Sequence, residues 1–265
     1  MTEPGGQSTT PALDAITQRL AVNQPLAVRR AAMRTAALGI AYSVLYLFTV
    51  LFIKSRLPPI GASDQEVISF YSDSNERRAI LFAGLYLVPF TGIAFIWFIV
   101  TLRMWVTASG SRENVLFSNV QLVSGIIFTA LFFVAGASMS VTAATVELSD
   151  GPIDPLVARQ FPQYGSMILL VFAMRMAAMF VLATSTITRT TGILPKWFAY
   201  LSIVMALGLL LSVSLSPWLV IVFPTWVLVC CAMLLDRARR IPRDLVISGP
   251  DLATERLSSG PAVPR

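Results

Sequence analysis

The chain has no histidine among its 265 residues. That absence removes Ser-His-Asp triads, histidine-ligated zinc, haem with a histidine axial ligand and histidine pH switches in one step. Cysteine is scarce too: Cys230 and Cys231 are the only two, and adjacent helical residues diverge, so they read as packing residues rather than a disulfide. Lysine occurs twice, as Lys54 and Lys196, both at the ends of apolar runs. Charge is the largest deficit. Only 13% of residues are Asp, Glu, Lys or Arg while 55% are strongly apolar, which excludes an ordinary soluble domain. The patterns H-E-x-x-H and G-x-S-x-G are absent, and no carboxylate pair falls inside an apolar run, so no catalytic residue, metal or cofactor is expected.

In place of charge the chain has long uncharged runs at 35–53, 79–102, 114–146 and 197–235, and a fifth at 160–188 interrupted only by Arg175. A helix rises 1.5 Å per residue and needs about 20 apolar residues to cross roughly 30 Å of hydrocarbon. The 39-residue run at 197–235 is too long for one crossing, and Ser214, Ser216 and Pro217 place a turn near its middle. The 33-residue run at 114–146 has no proline and reads as one long helix, tilted or projecting. The expected fold is an all-α, polytopic transmembrane helix bundle of six spans at about 35–53, 79–102, 117–146, 165–187, 197–214 and 217–235.

Six spans put both termini on one side of the bilayer. That side receives fourteen basic residues and the other five, so the positive-inside rule makes both termini cytoplasmic. Trp105 and Trp197 then fall at the inner boundary and Trp218 at the outer one, as interfacial anchors do. The net charge of +6 sits beside span ends and is not interleaved with exposed aromatics, so no nucleic-acid partner is expected. The expected partners are the lipid bilayer and a membrane protein or second copy.

Residues 1–34 read as a cytoplasmic tail, floppy at first, with a weakly amphipathic Leu13, Ile16, Leu20 segment suited to an interfacial helix. Arg29 and Arg30 precede a full apolar span without an A-x-A site, which favours an uncleaved anchor over an export signal. Residues 236–265 read as a basic, disordered cytoplasmic tail. In the first outer loop Ser63 and Glu66 have capping-box spacing, and a short helix through Val67, Phe70 and Tyr71 is expected on the membrane surface. In the second, Asp154 before Pro155 caps the next helix. Loops this short form a lid at most. Their carboxylates Asp64, Glu66, Asp73, Glu76, Glu147, Asp150 and Asp154 could attract a cation, but scattered loop carboxylates are ordinarily solvated.

The sharpest single signal is Arg175, because a guanidinium near mid-membrane costs at least about 2.5 to 3.5 kcal/mol and needs an acceptor or water. It is either a contact for an anion or polar substrate, or a clamp onto carbonyls, hydroxyls or Glu147; the clamp is preferred. On the third span, Asn114, Ser118, Gln121, Gly125, Thr129, Phe132, Gly136, Ser140, Ala143 and Glu147 recur at intervals of three or four on one face, and nine of the ten are small, polar or charged. Small and polar groups are wasted against lipid, so this face is expected to point into the bundle toward Arg175. Gln121, Thr129, Ser140 and Glu147 therefore join Arg175 as the candidate polar site. Pro89, between Gly84 and Gly92, and Pro224, beside Thr225, are candidate helix breaks of the kind transporters use to expose carbonyls. No matching prolines relate the two halves as an inverted repeat.

The run from Arg175 through Met176, Ala177, Ala178, Met179, Phe180 and Val181 to Ser185 and Thr186, then Thr191, Gly192, Pro195, Lys196 and Trp197, and later Phe223, Pro224, Trp226 and Val227, resembles uncharacterised six-helix integral membrane proteins of high-GC Gram-positive (actinobacterial) bacteria. The resemblance covers mainly the C-terminal half and implies a multi-pass protein of the bacterial cytoplasmic membrane; it supplies no catalytic residues. The expected function is a non-enzymatic membrane component or envelope-complex subunit. The alternative is a small-solute or lipid transporter using Arg175 and the polar face of the third span. A transporter requires a polar, water-reachable cavity near mid-membrane, whereas an interaction protein requires a tightly packed interior.

Overall fold

The computed structural model describes residues 10–59, 61–108, 115–149, 153–192, 194–211 and 218–240. The first nine residues, Asn114, Asp150, the turn at Ser214, Ser216 and Pro217, and the C-terminal tail from residue 241 lie outside the described residues. Every regular element among the described residues is a helix. Helix α1 (Thr10–Arg56) runs unbroken for 47 residues, so the amphipathic segment of the tail is continuous with the first span rather than a separate surface helix. The short α2 (Asp64–Ser72) starts at the expected capping box: the Ser63 backbone N–H donates to Glu66 Oε2 at 2.6 Å, and the Glu66 N–H donates to Ser63 Oγ at 3.3 Å.

Helix α3 (Ser74–Phe82) follows at once, because Asp73 accepts the Asn75 N–H at 2.8 Å and supplies an N-cap six residues before the charge gap begins. A π-helical turn (Ala83–Leu87) joins it to α4 (Val88–Ala108), the Val88 N–H reaching five residues back to the Ala83 carbonyl. The long third run forms a single helix, α5 (Val115–Leu148). Asp154 caps α6 (Pro155–Met167) by accepting the Leu156 and Val157 N–H groups; a second π turn (Ile168–Ala173) leads into α7 (Met174–Thr191), which stops at the left-handed Gly192, φ 67°. Helices α8 (Lys196–Leu211) and α9 (Leu219–Arg240) are the last elements among the described residues.

Five helical stretches are long and apolar enough to cross a membrane: Arg29–Arg56, Ser74–Val106, Val115–Leu148, Pro155–Thr191 and Leu219–Arg237. The shorter α8, 16 residues, spans about 24 Å. The fold is thus a helical membrane bundle. Helix α1 packs against α4 and α9, α5 against α4, α6 and α7, and α8 lies on α7.

Neither candidate proline breaks its helix. Pro89 sits two residues into α4, with the π turn immediately before it. Pro224 lies inside an unbroken α9, where the Thr225 hydroxyl donates to the adjoining Ile221 carbonyl at 2.8 Å. A third proline, Pro162, lies inside α6; the Ala158 carbonyl that it deprives of a donor accepts the Thr142 hydroxyl of α5 at 3.5 Å.

The centre of the bundle is aromatic. Phe95 of α4 is fully buried, with ring centroids of Tyr42 (α1) at 4.5 Å, Phe128 (α5) at 5.2 Å, Phe180 (α7) at 5.4 Å and Phe223 (α9) at 5.6 Å. Tyr46 stacks on Phe132 at 5.2 Å, and Phe223 continues onto Trp226 at 6.5 Å. Cys230 and Cys231 are free and buried beside this stack, as the packing reading expects.

Candidate functional site

The small-polar face of α5 points inward, with Ser118, Gln121, Gly125, Thr129, Gly136 and Ser140 all buried. Three of its polar groups are consumed internally, while the Ser118 hydroxyl is buried without a partner. Gln121 Nε2 donates to Thr184 Oγ1 at 2.7 Å, Thr129 to the Gly125 carbonyl at 2.9 Å, and Ser140 to the Gly136 carbonyl at 2.9 Å. Arg175 is half-buried, and its guanidinium donates to the Val171 carbonyl at 2.7 Å, inside the second π turn of its own helix. That is its one hydrogen bond among the described residues. Glu147 is exposed at the far end of α5 and pairs with Arg77 at 3.2 Å. The Glu147 to Arg175 contact weighed from sequence does not form: Arg175 lies twenty residues, about 30 Å of helix, from the start of α6. Gln121 and Glu147 are themselves about 39 Å apart along α5. The five candidate residues are therefore not brought together.

What the structure does assemble lies at the α2 end of the bundle. A cavity of about 690 Å³ opens between α1 and α6, two helices with little direct packing against one another. Thr49, Val50, Ile53 and Lys54 of α1 form one wall, Pro162, Gln163, Ser166 and Met167 of α6 the other, and Ala135, Gly136 and Met139 of α5 the back. Val67 and Tyr71 of α2 roof it together with Pro58 and Pro59, while Val88, Phe132 and Val220 lie at its inner end. Phe132 is stacked on Tyr46 and Phe128, so the aromatic centre borders the cavity at that end.

Two arginines hold the roof. Arg159 of α6 donates to the Ala62 carbonyl at 2.7 Å and pairs with Asp64 at 2.6 Å, fixing the start of α2. Arg77 of α3 donates to the Tyr71 and Ser72 carbonyls at 2.9 and 2.8 Å and to Glu147, fixing its end. Beneath, Val67 and Tyr71 pack with Ile80, Ala143 and Ala158 in a small core of their own. Both ends of α2 are thus tied by arginines over the cavity. The carboxylates of this end among the described residues are committed to this scaffold: Asp64, Glu76 and Glu147 to arginines, and Glu66, Asp73 and Asp154 to helix caps. No metal-binding cluster occurs among the described residues.

Replacing Arg77 with alanine removes hydrogen bonds to the partly buried Tyr71 carbonyl and the exposed Ser72 carbonyl together with the Glu147 pair, and is expected to cost about 1 to 3 kcal/mol locally. The Arg56→Ala change removes the exposed pair with Glu76 and the guanidinium's contact with the Phe52 ring at 5.3 Å, each worth at most about 1 kcal/mol. Amide hydrogen exchange across α2 should rise clearly in the first variant and little in the second; equal protection in both would show that Arg77 does not hold the roof.

Among the described residues the cavity lining carries two cations, Lys54 and Arg159, and no carboxylate. Lys54 is exposed and has no ion pair among the described residues, whereas Arg56, Arg77 and Arg159 each have one. Two further donors are unused: Arg159 Nε and the Tyr71 hydroxyl are buried without a hydrogen-bond partner. Tyr71 is 1% exposed and lies near Thr142 without good hydrogen-bond geometry. Burial pushes the Tyr71 hydroxyl up, against a smaller opposing effect of Thr142, so it stays protonated and able to donate.

None of the cavity residues belongs to the candidate set read from sequence. The available signal was the stripe of Arg159, Gln163 and Ser166 at i, i+4, i+7, a polar face on a helix entering the membrane. Comparison with family models, with curated proteins and with solved structures finds no match.

Proposed function

We propose that the protein is a six-span, non-enzymatic component of a bacterial cytoplasmic membrane, with both termini cytoplasmic, that acts by binding at the α2 end and does not conduct a solute. The observation that carries this reading is the aromatic plug: Phe95, Phe128, Phe180 and Phe223 are buried against one another at mid-bundle, where a transport path would need polar, water-reachable space. The sixth span is α8, because the uncharged run 197–235 is too long for a single crossing. The excess of basic residues on one side supports the orientation, which makes the α2 end extracytoplasmic. The resemblance of the C-terminal half to actinobacterial membrane proteins supports the location. Commitment of the outer carboxylates to caps and ion pairs supports a non-enzymatic role. Arg175 serves as a clamp on its own π turn.

The alternative, a lipid transporter, has one observation in its favour. Residues at or beside both π turns, Val88 on one side and Leu169 and Leu170 on the other, line the cavity, and π turns are frequent where helices shift during function. The two readings separate at mid-plane. In a Cys230→Ala, Cys231→Ala background, single cysteines at Gln121, Thr129 and Ala178 should resist a membrane-impermeant thiol reagent in folded protein. Labelling at any of them would indicate an aqueous path and replace this reading with transport.

A further inference from the structure

We propose that the cavity beneath α2 is a binding site for one acyl chain of an anionic bilayer lipid, with the lipid's phosphate held at Lys54. The inference deepens the function proposed above and rests on the cavity being a binding site.

Depth is the first argument. From Thr49 to Leu57 along α1 the cavity runs about 12 Å, and from Ala158 to Leu170 along α6 and its π turn about 18 Å, close to the ~15 Å hydrocarbon half-thickness of one leaflet. A chain entering at the headgroup level and ending on Phe132 would therefore stay within its own leaflet. The walls are the second. A space of about 690 Å³ has the size of an ordinary ligand site and equals the bulk volume of roughly twenty waters. Its inner lining, Val88, Phe132, Ala135, Met139 and Val220, offers those waters no polar side chain, and apolar cavities take apolar occupants.

Charge at the mouth supplies the third. The rim is amphipathic, with Met167 47% exposed beside exposed Gln163 and Lys54, so it meets both hydrocarbon and headgroups. Lys54 is the cation left without an ion pair among the described residues lining the cavity. A lipid phosphate at this mouth would meet the Lys54 ammonium, as a neutral hydrocarbon would not.

The test uses the full chain in nanodiscs of phosphatidylcholine with increasing phosphatidylglycerol, read by native mass spectrometry after release. One phosphatidylglycerol retained per chain, preferred about fivefold or more over phosphatidylcholine as one lysine at the interface allows, is the expected result. Lys54→Glu, an exposed change, should abolish the preference with the unfolding midpoint unchanged; Leu170→Trp, which fills the cavity, should expel the lipid of either headgroup. Equal retention of the two lipids, indifferent to Lys54→Glu, would leave only annular lipid and overturn the proposal. So would an empty chain, or a dimer without lipid, the latter giving the site to a second copy. Each of these results leaves the mid-plane thiol protection untouched, whereas labelling there removes the underlying reading whatever lipid is retained.

Discussion

Phe95→Ala is expected to lower stability by about 3 to 5 kcal/mol, as deletion of a fully buried aromatic does. In a bilayer the loss arises less from transfer to water than from packing, since lipid tails are as apolar as the core. What disappears is a ring that contacts rings from four other helices, α1, α5, α7 and α9. No neighbour can fill the void without leaving its own rotamer, because Tyr42, Phe128, Phe180 and Phe223 are themselves almost completely buried. The comparison is Phe48→Ala: Phe48 lies on α1 but is 53% exposed toward lipid, and its truncation is expected to stay within about 0.5 kcal/mol. The unfolding midpoint in a titration of mixed micelles with sodium dodecyl sulfate reads both. Equal shifts would mean that the aromatic centre is not the element that ties the bundle.

The helical bundle was legible because bilayer thickness imposes a length on every crossing, and charge gaps measure that length directly. The same logic gave α5 as one long helix and the caps at Ser63 and Asp154, where a local hydrogen bond is encoded within three residues. Arg175 and the polar face of α5 were found as unusual residues, but their partners were not. Burial of Gln121 and Thr129 says that they need acceptors or donors; which ones depends on neighbours sixty residues away, as with Thr184, or on their own preceding turn, as with Gly125. Prolines misled for a related reason. Pro89 and Pro224 do remove backbone donors, yet a π turn precedes the first and the second sits inside an unbroken helix, where the Thr225 hydroxyl reinforces the adjoining Ile221 carbonyl. The cavity was invisible because it is made by what two helices do not do: α1 and α6 stand apart while α2 spans the gap, and no local pattern states the distance between elements remote in sequence.

That gap depends on how closely α6 sits on α5 at its other side, and Gly165 sets that distance. A β-carbon at Gly165 would lie 2.7 Å from the Ala135 carbonyl oxygen and 2.9 Å from Met139 Cγ. The nearer atom is backbone of a buried helix and cannot turn aside, so the helices must separate. Gly165→Ala is expected to cost about 1 to 3 kcal/mol by overpacking, and Gly165→Leu more, with loss of lipid retention, because Ala135 and Met139 form the back wall of the cavity. Gly208, inside α8, is the counter-case: a β-carbon there meets nothing within 4 Å, so Gly208→Ala should gain about 0.5 to 1 kcal/mol from helix propensity alone. The same chemical change is thus expected to move the unfolding midpoint in opposite directions at the two sites. A midpoint raised or unmoved by Gly165→Ala would mean that α6 can yield away from α5, and the cavity would then be a variable gap rather than a wall-to-wall fit.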